Sequence, residues 1–195
     1  MLSEQFVRWT GAAAMVGGLL WVISTVVHAS KPVGCVAQEC TSRQTRETSV
    51  IEGVLTLGAL LLFAATACSL VLLVRSAGRF GTVGSVGTIL ALIGILVLVA
   101  AGAVQTVVLA GDFPLMPYFV IPGIVALVAG FVMLALLVLR SGVVPRWAAA
   151  SLLVGALTML GFNEQSAAAW LAIPFGLSWM VVGYALWTQE PRVHL

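Results

Sequence analysis

One stretch of the chain, residues 80–109, reads FGTVGSVGTILALIGILVLVAAGAVQTVVL and contains no charged side chain. A helix rises about 1.5 Å per residue, so this segment is long enough to cross a hydrocarbon layer about 30 Å thick. Its apolar residues are continuous and do not alternate with polar ones, which favours a helix over a barrel strand. The stretch therefore predicts a transmembrane helix.

The composition of the whole chain also indicates a lipid environment. Of the 195 residues, 61% are hydrophobic and 8% are charged, against roughly 45–50% and about 25% in soluble domains. The net charge of +2 is small and scattered along the chain. No nucleic-acid partner is therefore expected.

Charged residues divide the chain into six apolar segments. We expect an all-α, polytopic membrane bundle in which residues 1–195 form a single transmembrane domain. The predicted transmembrane helices are about 11–29, 53–74, 80–109, 115–139, 147–162 and 166–187, with an outer loop at 30–50. The fifth segment is short for a bilayer.

The basic residues predict that both termini are cytoplasmic. With the N-terminus inside, six arginines lie at inner helix ends and three basic residues lie outside, which satisfies the positive-inside rule. The inner residues are Arg8, Arg75, Arg79, Arg140, Arg146 and Arg192, and the outer ones are Lys31, Arg43 and Arg46. This distribution favours keeping the first segment as a helix over cleaving it as a signal peptide after Ala29. One lysine against eight arginines suits a bacterial source, so we expect a bacterial plasma membrane protein.

The odd-numbered segments begin alike, each with an arginine followed by an aromatic residue. The three pairs are Arg8-Trp9, Arg79-Phe80 and Arg146-Trp147. One interpretation is a bundle of three hairpin repeats. The other is that cytoplasmic helix ends in lipid commonly carry these residue types.

Three glycines, Gly81, Gly84 and Gly87, are spaced three residues apart at the start of the third segment. No strand precedes them and no Lys-Ser/Thr pair follows, so they do not form a phosphate-binding loop. Small residues let two helices approach closely in lipid. The pattern therefore predicts helix packing.

Two cysteines, Cys35 and Cys40, lie in the predicted outer loop. Their short spacing on an oxidising face predicts a disulfide. Two thiols alone are a poor ligand set for a metal, and no metal site is expected.

The candidate site consists of polar side chains at the outer ends of the segments. They are His28, Glu52, Gln105, Asp112, Asn163 and Glu164. Ionisable groups near membrane depth are functional candidates, and a histidine with carboxylates could bind a cation or orient a polar head group. Helix capping is the alternative: Ser49 and Glu52 fit a capping box, and Asp112 and Asn163 fit N-caps.

Patterns typical of membrane enzymes are missing from the sequence. The one lysine lies in a loop, and two histidines cannot supply haem pairs or a three-histidine zinc site. The segments also have no central charged residue of the kind that proton-coupled transporters use. We therefore expect a non-enzymatic protein without a cofactor.

Three C-terminal motifs resemble small, uncharacterised six-span membrane proteins of actinobacterial type. They are LRSGVVPRW at 139–147, LAIPFGL at 171–177 and GYALW at 183–187. The resemblance implies the six-helix architecture and carries no assigned activity.

Three functional hypotheses follow. The first is an accessory subunit of a membrane complex or a binder of lipid or another apolar molecule, with membrane lipids and protein subunits as partners. The second is a solute carrier or a substrate-capture subunit, because six helices with both ends inside are similar to the capture subunits of energy-coupling-factor transporters. The third is a membrane enzyme that uses the outer polar cluster.

Overall fold

The computed structural model describes residues 3–33, 46, 48–105 and 116–188. Within these ranges the chain forms six α-helices and no strand. The helices are α1 (Glu4–Ala29), α2 (Val50–Ser76), α3 (Thr82–Ala103), α4 (Met116–Ser141), α5 (Arg146–Thr158) and α6 (Ala172–Thr188). Two short 3₁₀ segments, Met159–Gly161 and Ala167–Leu171, lie between α5 and α6.

Serine caps explain where α1 and α2 begin. The Ser3 hydroxyl accepts a 3.2 Å hydrogen bond from the Phe6 backbone N–H, so α1 begins before residue 11, the expected start of the first segment. Ser49 and Glu52 form the predicted capping box. The Ser49 hydroxyl accepts from the Glu52 N–H at 3.3 Å, and the Glu52 carboxylate accepts from the Ser49 N–H at 3.2 Å.

Glycines with positive φ end two helices at the opposite end of the bundle. Gly78 follows α2 with a φ of 69°, and Gly142 follows α4 with a φ of 65°. Glycine adopts this left-handed conformation without steric cost, which is why it commonly follows the last helical turn.

Five helical segments are long and apolar enough to cross a membrane. The sixth, Arg146–Gly161, is shorter and reaches only about 24 Å at 1.5 Å per residue. Large apolar side chains are exposed on the outer face of every helix, among them Val16, Leu61, Ile93, Val125, Val154 and Leu177. The fold is therefore compatible with an integral membrane protein, whereas the sixth span, the orientation and the hairpin repeats stay predictions.

Each helix packs against the helices before and after it, and α6 returns to pack against α1. The six helices therefore close into a ring in chain order. The interior is filled by aromatic rings: Phe63 stacks on Trp179 at a centroid distance of 4.9 Å, and Phe131 meets Trp179 edge-on at 5.1 Å. Phe175 lies edge-on to Phe63 at 5.4 Å. The centre of the helix bundle is therefore filled by packed aromatic side chains.

Of the three glycines at the start of α3, two face α4. A Cβ on Gly84 would lie 2.8 Å from Leu137, and one on Gly87 would lie 2.7 Å from the Cβ of Met133. A Cβ on Gly81 would meet no described atom within 4 Å, because this residue precedes the first turn of α3. Gly81 therefore takes no part in the close contact that the spacing of the three glycines predicts.

Other glycines bring helix backbones together. A Cβ on Gly94 would lie 2.5 Å from the backbone nitrogen of Leu127 on α4. Between α1 and α6, a Cβ on Gly11 would lie 2.6 Å from the carbonyl oxygen of Gly183. Close approach through small residues is the usual way for helices to associate in lipid.

Candidate functional site

The two ends of the bundle carry different side chains. At one end, which we call the histidine end, α1, α3 and α5 finish and α2, α4 and α6 begin; His28 and Glu52 lie here. The opposite end, which we call the arginine end, carries five exposed arginines in the described chain: Arg8, Arg75, Arg79, Arg140 and Arg146.

A buried carboxylate lies at the centre of the histidine end. Glu52 is 1% exposed. Its Oε1 lies 2.6 Å from the Lys31 ammonium, and its Oε2 lies 3.2 Å from Nδ1 of His28. Burying a carboxylate is costly unless it is paired and hydrogen-bonded, and here both oxygens have partners.

The His28 ring joins α1 to two other parts of the chain. Its Nδ1 contacts the Glu52 carboxylate, and its Nε2 lies 3.3 Å from the carbonyl oxygen of Glu164. A carbonyl oxygen can only accept, so Nε2 must carry the proton in that bond. Both ring nitrogens of His28 are therefore engaged with the protein.

Arg46 joins the end of α1 to the turn before α6. Its guanidinium donates to the carbonyl oxygens of Lys31 and Pro32 at 3.1 and 3.2 Å. It also donates to the carbonyl oxygens of Glu164 and Ser166 at 2.8 and 3.3 Å. The residue is 6% exposed, and the planar fork of arginine suits such multiple bonds.

Gln165, in the turn before α6, bonds the backbone of Arg46. The Gln165 side-chain oxygen accepts from the Arg46 N–H at 2.6 Å, and the Gln165 amide donates to the Arg46 carbonyl at 3.4 Å. The turn itself is stabilised by Asn163, whose side-chain oxygen accepts from the Gln165 N–H at 3.0 Å.

A cavity of about 160 Å³ lies below this network, between the helices. For comparison, an engineered cavity of about 150 Å³ in another protein holds a benzene molecule. Its apolar lining residues, which we call the apolar wall, are Trp21, Leu57, Leu60, Leu98, Val120, Ile124, Met159 and Phe162. Its polar lining residues, which we call the polar wall, are Ser24, Thr25, His28, Thr48, Glu52, Thr56, Gln105 and Glu164.

The polar wall contains one pair of hydroxyls that are bonded to each other. The Ser24 and Thr56 hydroxyls are 2.7 Å apart, and Ser24 also donates to the Glu52 carbonyl at 3.2 Å. These bonds tie α1 to α2 along the polar wall.

Thr25 is different, because its hydroxyl has no hydrogen-bond partner among the described residues although the residue is only 9% exposed. Elsewhere in this bundle, helical threonines return their hydroxyls to a carbonyl one turn earlier. Thr10, Thr66 and Thr88 do so at 2.7–2.9 Å. Thr25 therefore lines the cavity and carries a hydroxyl that no described residue bonds.

The predicted site residues divide into three groups. His28, Glu52, Gln105 and Glu164 come together around the cavity. Asn163 lies in the adjacent turn and does not line it. Asp112 lies outside the described residues, as do Cys35 and Cys40, so the disulfide stays a prediction; Cys68 is an exposed free thiol.

Sequence reasoning missed several residues that complete the site. Thr25 lies three residues before His28, and Thr56 lies four after Glu52, so each pair shares a helix face. This spacing could have indicated from the sequence that Thr25 and Thr56 belong to the site. Arg46 had no such signal, because its role depends on the fold of a loop.

Within the described residues, no cluster of three or more His, Cys, Asp and Glu side chains could hold a metal ion. No family model, curated protein or solved structure matches the chain.

Proposed function

We propose that this protein is an integral membrane protein that binds a small apolar or amphiphilic molecule in the cavity at the histidine end. One observation carries the proposal: the described helices line a partly open cavity of about 160 Å³ whose surface is mostly apolar and includes several polar side chains. Ligand sites are typically concave and mostly apolar, with a few polar groups that fix orientation. The proposed orientation places the arginine end in the cytoplasm and the cavity toward the outer face of a bacterial plasma membrane.

The polar network around the cavity supports binding over catalysis. For His28 to act as a general base, one ring nitrogen must be free to reach the substrate. Both nitrogens of His28 are already bonded, one to Glu52 and one to Glu164. The apolar wall likewise favours a lipid-soluble ligand over the water-soluble ligand of a capture subunit.

A cavity-filling variant tests the proposal. Gly102 lines the cavity on α3, and among the described residues a Cβ there would meet only a Leu57 methyl group at 3.9 Å. Gly102→Leu therefore places apolar volume in the cavity. Ala100→Leu is the matched control, because Ala100 lies on the same helix but is exposed and does not line the cavity.

The measurement is mass spectrometry of the organic extract from each purified protein. Wild type and Ala100→Leu should retain the same small molecule in near-equal amounts. Gly102→Leu should retain at least tenfold less. Equal retention by all three proteins, or no specific molecule in wild type, would overturn the proposed function.

A further inference from the structure

We infer that the cavity selects a ligand whose polar head is uncharged and that the Thr25 hydroxyl is the group that recognises this head. The inference rests on the proposed function and names the chemical class of the ligand: a small apolar body that carries a hydroxyl or carbonyl group.

The two buried charged groups of the histidine end, Glu52 and Arg46, already have partners inside the protein. Glu52 is held by Lys31 at 2.6 Å and by His28 at 3.2 Å. Arg46 uses its guanidinium on four backbone carbonyl oxygens. Among the described residues of this end, the two carboxylates Glu52 and Glu164 balance the two cations.

An anionic head would therefore meet no described cation that is free of protein partners at this end, and a cationic head would find only the half-buried Glu164. Removing an ion from water is costly unless a partner replaces the lost hydration. Glu164 lines the cavity and is half-buried, so a cationic head is the competing class and must be tested directly.

An uncharged head meets a different situation at Thr25. This hydroxyl can both donate and accept one hydrogen bond, and no described residue uses either capacity. The neighbouring hydroxyls of Ser24 and Thr56 bond each other at 2.7 Å. A hydroxyl or carbonyl group on the ligand would satisfy Thr25 without disturbing the ion pair of Glu52 with Lys31.

Four ring compounds of similar size separate the possibilities. Benzyl alcohol has an uncharged polar head, benzylamine a cationic head and benzoate an anionic head, while toluene has none. Binding of each is measured by ligand-observed NMR with the full chain in lipid nanodiscs, and protein-free nanodiscs correct for partition into lipid. Benzyl alcohol should bind at least tenfold more tightly than benzylamine or benzoate, and about fivefold more tightly than toluene, as one net hydrogen bond predicts.

Variants at Thr25 assign the recognition to its hydroxyl. Thr25→Val keeps the side-chain shape and should weaken benzyl alcohol about fivefold while leaving toluene unchanged. Thr25→Ser keeps the hydroxyl and should retain benzyl alcohol binding. Thr10→Val is the control, because Thr10 lies on the same helix but bonds the Phe6 carbonyl at the arginine end.

The outcomes distinguish the inference from the proposed function. If benzylamine or benzoate binds as tightly as benzyl alcohol, or if Thr25→Val binds benzyl alcohol like wild type, the uncharged-head inference is wrong and the cavity still binds ligands. If none of the four compounds binds, the proposed function fails together with the inference.

Discussion

The indole Nε1 of Trp21 donates a 2.9 Å hydrogen bond to the carbonyl oxygen of Ala172, across 151 positions of sequence. Both residues line the cavity. The bond joins the second half of α1 to the first turn of α6, where Trp21 also packs edge-on against Phe175 at 5.5 Å. A buried hydrogen bond therefore holds these two lining residues together, in addition to their apolar contacts.

Removing this hydrogen bond should destabilise the bundle modestly. Trp21→Phe keeps an aromatic ring but loses the donor and some volume, so we expect a loss of about 1–3 kcal/mol in the free energy of unfolding. Thermal unfolding in detergent measures the effect. Trp9→Phe, at an exposed position, should change little. Equal stability of Trp21→Phe and wild type would contradict this role.

The buried ion pair should show strong coupling between its partners. Lys31→Met leaves the buried Glu52 carboxylate with His28 and the Ser49 N–H but without the lysine ammonium. We expect a cost of about 2–3 kcal/mol, because a buried charge that loses its counter-charge is costly. The double variant Lys31→Met with Glu52→Gln removes both charges and should recover much of that loss. Additive effects of the two single variants in a double-mutant cycle would show that the pair is not coupled.

Arg46 should control local opening of the histidine end. Arg46→Gln removes the guanidinium from four carbonyl oxygens, so the hydrogen-bonded backbone amides of Ser30, Lys31, Gln165 and Ser166 should exchange hydrogen at least tenfold faster. Arg46→Lys should not restore protection, because an ammonium group lacks the planar fork. Arg140→Gln, at an exposed arginine of the opposite end, should leave exchange at the histidine end unchanged. Unchanged exchange in Arg46→Gln would show that Arg46 does not hold the end of α1 to the turn before α6.

The contact between α3 and α4 should depend on Gly94 and not on Gly81. An added methyl group at Gly94 would lie 2.5 Å from the Leu127 nitrogen, a backbone atom that cannot move aside alone. Gly94→Ala should therefore cost about 1–3 kcal/mol by overpacking. Gly81→Ala meets open space and should be near neutral. Similar losses at both positions would contradict the role of this contact, because alanine has a higher helix propensity than glycine and propensity alone cannot cause a loss.

The proposed orientation predicts opposite labelling of two introduced cysteines. In a variant whose native cysteines are replaced by alanine, Ser30→Cys lies at the histidine end and Ser76→Cys at the arginine end, both at exposed positions. A membrane-impermeant maleimide should label Ser30→Cys in intact cells and Ser76→Cys only after lysis. The reverse pattern would place the arginine end outside.

Local signals in the sequence predicted much of the architecture and part of the site. The serine at residue 49 and the glutamate three residues later define the start of α2, because a capping box needs only neighbouring residues. His28, Glu52, Gln105 and Glu164 could be grouped because helix ends on one side of a membrane lie close together.

Features that depend on helix crossing and loop fold could not be predicted. Gly94 contacts Leu127 because α4 crosses α3 at that level. The regular spacing of the glycines at residues 81–87 does not show which of them makes a contact. Arg46 acts through carbonyl oxygens, which every residue has, so no sequence pattern marks its partners.

The most direct test of the account is native mass spectrometry of the protein released gently from its own membrane. Ligand binding predicts a single chain that carries one small molecule in stoichiometric amount and loses it in Gly102→Leu but not in Ala100→Leu. A chain without any bound small molecule, or one found only with a protein subunit, would contradict ligand binding and favour an accessory role in a membrane complex.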